Sequence, residues 1–178
     1  MLTTIAIIAV VLAIAIVIIL ILAATKPNTF RIERSGVIDA PADKPFALIN
    51  DFHQWRGWSP WENKDPNLKR IYSGAANGKG AVYAWEGNKD VGSGRMEILD
   101  AASPSKVLIK LDFFAPFEAH NTAEFTMLPQ GNATNVHWVM HGPAPFMSRV
   151  MQVFINFDRM VGKDFETGLA NLKKLAEK

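Results

Sequence analysis

Apolar residues run almost without interruption from Ile5 to Ala24, and no charged side chain occurs before Lys26. Thr3 and Thr4 are the only polar residues among the first 24. A helix of this length rises roughly 36 Å, enough to cross a hydrocarbon layer about 30 Å thick with some tilt. A helix that is apolar on every face has no wet side to offer a soluble fold. A secretory signal would show a basic leading region, a shorter apolar core and a small residue three places before the cleavage point. Here no base precedes the run, and Leu22 stands at that place for cleavage after Ala24. The pattern therefore predicts a single uncleaved transmembrane anchor over residues 1–24, a linker over 25–29 and one domain over 30–178.

Past Phe30 the pattern changes to alternation. Phe30–Ile38 reads as a strand stopped by Asp39-Ala40-Pro41, and a short helix follows with Phe46, Leu48 and Ile49 on its apolar side. Strands are then predicted at Leu68–Ser73, Gly80–Gly87, Val91–Leu99, Val107–Phe113, Ala119–Leu128 and Thr134–Gly142. Their one-sided sets are Tyr83 with Trp85, Met96 with Ile98, Ile109 with Phe113, Phe125 with Met127, and Trp138 with Met140. Alternation of this kind describes an antiparallel sheet with one face covered and one wet. The last two strands read as a hairpin around Pro129-Gln130-Gly131-Asn132. Pairing Phe125 with Val136 places His120 opposite His141 and Glu124 opposite His137, on the outer face.

The period changes again near the end. Phe146, Val150, Phe154, Phe157, Val161, Phe165, Leu169 and Leu172 recur every three or four residues, which predicts one long amphipathic helix over about 146–175. Pro145 suits its first turn. Gly162 and Gly168 mark a bend or a close backbone approach within it. The expected fold class is α+β, a curved antiparallel sheet with one long C-terminal helix across its apolar face.

Charge adds little direction. The net charge is +2 with acids and bases interspersed, so no basic stripe points to nucleic acid. The bases nearest the apolar run, Lys26, Arg31 and Arg34, all follow it, which favours a cytoplasmic domain by the positive-inside rule. With no cysteine, thiol nucleophiles are excluded. Gly92-Ser93-Gly94 and Gly78-Lys79-Gly80 lack the following helix that a phosphate loop requires, and no cofactor is indicated. The outer-face histidines read as a solvated patch, with no metal site. Glu62 and Asp65 read as solvated loop carboxylates, and no residue is singled out as catalytic. Arg34 falls on the inner side of the first strand, where a structural salt bridge is expected. Trp55, Trp58 and Trp61 lie within seven residues and suit either a cap on the core or an amphipathic rim at a membrane interface.

The chain resembles the START-like, or SRPBCC, superfamily of helix-grip domains, in particular its polyketide cyclase/dehydrase-like family. The resemblance rests on Arg34-Ser35-Gly36-Val37-Ile38-Asp39-Ala40-Pro41-Ala42, Phe46, Asn50-Asp51-Phe52, Trp55 and Trp58-Ser59-Pro60-Trp61. It continues through Gly78–Asn88 and Gly92-Ser93-Gly94-Arg95-Met96 to Asp164-Phe165-Glu166-Thr167-Gly168-Leu169. It implies a cavity between sheet and C-terminal helix that admits a hydrophobic small molecule or lipid. Tyr83, Trp85, Met96, Phe113, Phe125, Trp138 and Met140 would line it from the sheet, Phe154 and Phe157 from the helix, with Trp58 and Trp61 at its mouth. Aromatics and methionines suit an adaptable apolar pocket. Two other functions fit the same layout: a cyclase/dehydrase-type enzyme using that cavity, and a non-catalytic interaction domain with a closed core.

Overall fold

A computed structural model describes residues 2–178. The chain forms two compact units. One consists of α1 (Leu2–Thr25), α3 (Phe146–Phe154) and the segments flanking them. Within it α3 packs against α1, and Ala144 N–H donates to the Asn28 carbonyl at 2.7 Å. Over Thr3–Thr25 the apolar helix is long and hydrophobic enough to cross a membrane.

The other unit holds a seven-stranded, curved antiparallel sheet in the order β1-β7-β6-β5-β4-β3-β2. Its strands are β1 (Thr29–Ile38), β2 (Lys69–Gly74), β3 (Ala81–Glu86), β4 (Ser93–Ala102), β5 (Lys106–Ala115), β6 (Ala119–Gln130) and β7 (Ala133–Pro143). Between β1 and β2 come α2 (Asp43–Asn50) and two 3₁₀ turns, Phe52–Gly57 and Pro60–Asn63. The helix α4 (Phe157–Ala176) buries Phe165, Leu169, Leu172 and Ala176. Alternation holds on every inner strand: Tyr83, Trp85, Met96, Ile98, Ile109, Phe125, Met127, Val136 and Trp138 are all buried.

The stripe expected to form one helix over 146–175 is divided. Ile155 is extended (φ −122°, ψ 129°), so α3 stops there and α4 starts at Phe157. A β-branched residue followed by asparagine, a residue type favoured where helices begin, is the local reason. The apolar spacing conceals the break because Phe154 and Phe157 are three apart on either side of it.

The β6–β7 register also differs from expectation. The loop has only two residues, Gly131 (φ 63°) and Asn132, so Gln130 pairs with Ala133 and Phe125 with Trp138. Glycine at the first central position with positive φ suits a two-residue hairpin turn of type II′. His141 therefore lies opposite Thr122, and His137 opposite Thr126. The expected His120–His141 and Glu124–His137 pairs do not form.

Both α4 glycines mark close approaches. A Cβ on Gly168 would sit 2.8 Å from the Trp138 ring, and one on Gly162 would overlap the Arg34 guanidinium. Arg34 projects from the inner side of β1. Its Nε donates to Glu166 at 2.8 Å, and its Nη1 and Nη2 donate to Asp158 at 3.1 Å, which ties β1 to α4.

Candidate functional site

The inner face of the sheet divides into two neighbourhoods. Around β6 and β7 the space beneath α4 is filled by rings. Trp138 stacks on Phe165 with centroids 4.0 Å apart and planes at 4°, and Phe125 lies 4.8 Å from Trp138. Trp58 and Trp61 meet Trp138 edge-on at 5.6 and 5.8 Å. The indole N–H groups of Trp55 and Trp58 donate to the carbonyls of Ile49 and Leu48 at 2.9 and 3.2 Å, which satisfies their polar ends inside the core. Trp58, expected at a cavity mouth, is sealed, whereas Trp61 is half-buried with the Lys64 ammonium 5.7 Å from its ring.

Around β2 to β5 the inner face carries polar side chains as well as rings. Trp85 and Met96 are buried, and Phe113 is half-buried, edge-on to Trp85 at 5.7 Å. Met140 is buried on β7. Phe154 and Phe157, both expected to face the sheet, both belong to the α1–α3 unit; Phe154 is 68% exposed and Phe157 half-buried.

A carboxylate also occupies this second neighbourhood. The 3₁₀ turn Pro60–Asn63 carries Glu62 inward, where only 7% of it remains exposed. Its Oε1 accepts from the Tyr83 hydroxyl at 2.6 Å and its Oε2 from Arg70 Nε at 2.6 Å. Arg70 also donates to the Glu62 carbonyl at 3.1 Å and to the Leu68 carbonyl at 2.9 Å. Burial first, then Glu62, pushes the Tyr83 hydroxyl well above the ordinary tyrosine range, so it remains a proton donor to the carboxylate. The hydrogen bond to Glu62 raises Arg70 further and keeps it charged. Tyr72 stacks between Tyr83 at 5.1 Å and His53 at 4.2 Å, and its buried hydroxyl has no partner among the described residues. Asp65 is buried too, organising its loop by accepting from Asn67 N–H and Asn88 N–H at 2.8 and 2.6 Å.

The expectation that Glu62 and Asp65 are solvated is therefore corrected. The missed signal was Arg70, which shares its phase on β2 with Leu68 and Tyr72. An arginine on the covered side of a strand requires a buried acid. As an acid–base group Glu62 is preorganised but occupied, since both oxygens already accept hydrogen bonds. It can exchange a proton with a ligand only where that ligand displaces Tyr83 or Arg70.

An open groove of about 330 Å³ lies apart from the expected lining, bordered by Phe46, Leu48, Asn50, Asp51, Gln54 and Asn77. Among the described residues no cluster of three histidines, cysteines or acids has the placement of a metal site. His120 instead hydrogen-bonds Asp112 at 2.8 Å across β5–β6. That bond raises the His120 pKa. Stability linked to it is full below the ordinary histidine value of about 6.5 and is lost as pH rises through the raised midpoint. NMR titration is expected to place the His120 midpoint above that value, and Asp112→Asn to bring it down.

Comparison with known proteins supplies the family. No protein of curated function matches the sequence. Solved structures similar in fold include the Zhui aromatase/cyclase from a Streptomyces species, at 15% identity and a TM-score of 0.60, covering 84% of this chain and 94% of that one. Major latex-like protein 151 from Panax ginseng is similar at 12% identity and a TM-score of 0.60, covering 83% and 97%. The Aha1 dimer from Colwellia psychrerythraea gives 14% identity and a TM-score of 0.59, covering 83% and 96%. These likenesses establish the helix-grip fold. The sequence profile described as "Polyketide cyclase / dehydrase and lipid transport" matches residues 29–177, the whole segment that carries the sheet and α4, and the chain belongs to that family.

Proposed function

We propose that this protein binds a hydrophobic small molecule or lipid between its sheet and α4 while anchored to a membrane by α1, with the domain on the cytoplasmic side. The observation that carries the reading is the chemistry of the inner face: Trp85, Met96 and Phe113 offer apolar surface beside the Tyr83–Glu62–Arg70 cluster, on a fold whose family profile includes lipid transport. The apolar helix and the bases that follow it support the anchor and its orientation.

The full chain, expressed from its own start, is expected to stay with membranes through a carbonate wash and to keep its N-terminus. Reconstituted in nanodiscs, it should bind a fluorescent fatty-acid or sterol analogue saturably, and Trp85→Ala should weaken that binding. Failure to saturate with any apolar probe would favour the closed interaction domain.

A second reading, catalysis of the cyclase/dehydrase kind, is favoured by one feature, the buried Glu62 carboxylate beside the Tyr83 hydroxyl. Turnover of a polyketide-like substrate that disappears in Glu62→Gln, with ligand affinity retained, would establish it.

A further inference from the structure

We propose that α3 is an interfacial helix lying in the lipid headgroup layer, so that the membrane-associated part of the protein is a helix pair rather than a single span. This rests on reading α1 as the span. The nine residues of α3 include no buried side chain, although six of them are apolar: Phe146, Met147, Val150, Met151, Val153 and Phe154. Met147 and Phe154 are 66% and 68% exposed. A soluble protein would fold such a face inward or cover it.

What adjoins α3 identifies the occupant. Along the described part of α1 every side chain is exposed except Ile19 and Ala23, which with Lys26 just beyond the helix form a strip at i, i+4 and i+7. That strip lies at the C-terminal end of α1, the helix against which α3 packs. Ala23 is fully buried, a small residue that permits close approach of two helices. From Ile19 to Lys26 is about 10 Å of helix rise, which matches the depth of about 5–10 Å to which interfacial helices sink their apolar faces.

The charges agree with that depth. Arg149 is the single charged residue of α3, and its Nη1 donates to the Lys26 carbonyl at 3.4 Å. The guanidinium also lies 5.3 Å from the Phe146 ring. Two cations are thereby gathered where the apolar run of α1 ends, at the level of lipid phosphates. A bilayer satisfies both features at once, with acyl chains for Met147 and Phe154 and anionic headgroups for Lys26 and Arg149.

The absence of native cysteine makes the test direct. Met147→Cys, Phe154→Cys, Leu12→Cys within α1 and Lys79→Cys in an exposed turn are each labelled with NBD in the full chain. The proteins are reconstituted in phosphatidylethanolamine/phosphatidylglycerol vesicles with and without doxyl-labelled lipid. All four sites are exposed, so folding should be preserved. The expected result is blue-shifted emission, quenched by shallow doxyl lipid, at 147 and 154, with Leu12→Cys quenched by deep doxyl lipid and Lys79→Cys unaffected. Labels at 147 and 154 that match Lys79→Cys while Leu12→Cys is quenched would overturn the interfacial helix and leave the anchor standing. A label at 12 that also reads water would remove the span itself, and the interfacial helix with it.

Discussion

Replacing Glu62 with alanine is expected to destabilise the sheet domain by about 3–5 kcal/mol, the range for breaking a buried ion pair from one side. Over a domain of this size that corresponds to a fall of roughly 10 °C in the unfolding midpoint. The loss has two parts. Arg70, with 19% of its side chain exposed, is left with a charge that only partial access to water can compensate. The Tyr83 hydroxyl, buried against the carboxylate at 2.6 Å, loses its acceptor. Glu62→Gln should cost less, since an amide oxygen still accepts from one of the two donors. The double variant Glu62→Leu with Arg70→Met should recover most of the loss, because an apolar pair removes both buried charges together. Thermal unfolding of the four proteins, followed by far-ultraviolet circular dichroism, would check this. A single variant as stable as the parent would mean the pair is solvated.

The missed importance of Glu62 shows which parts of a fold are written locally. Strand faces were legible because parity is a two-residue rhythm that survives error. The β6–β7 register slipped by two, from Phe125–Val136 to Phe125–Trp138, and every apolar side chain stayed on its predicted face. What the slip destroyed was the cross-strand pairing of the histidines, which depends on absolute register and hence on the two-residue turn at Gly131. The break at Ile155 was illegible for the same reason in another period: a stripe that steps by three across a break looks like one that steps by three within a helix. Glu62 lies in a loop, where no periodicity distinguishes inside from outside. Only its partner Arg70, on a strand with readable phase, carried the information.

The divided inner face leads to the largest packing effect, and to a contrast between two tryptophans. Trp138→Ala is expected to cost about 3–5 kcal/mol, the range for truncating a large buried aromatic. Trp138 is enclosed on every side that matters: stacked on Phe165 at 4.0 Å, against Phe125 at 4.8 Å, edge-on to Trp58 and Trp61, and pressed by the backbone at Gly168. Those neighbours come from a strand, a helix, a 3₁₀ turn and the segment before it, so they cannot collapse together to refill the space. Trp85 is comparably buried and also rests on glycine backbone, at Gly94, but it has fewer ring neighbours, Tyr83 at 5.9 Å and the half-buried Phe113 at 5.7 Å. A half-buried neighbour can shift toward the space a deletion leaves, and on the proposed function a wall that faces a ligand contributes to affinity as well as to stability. Trp85→Ala should therefore cost less stability than Trp138→Ala while binding the apolar probe more weakly. Trp138→Ala should melt early and, where folded, keep its affinity. If both variants lost stability equally and binding not at all, the whole interface between sheet and α4 would be packed core, and the ligand would have to be sought elsewhere on the domain.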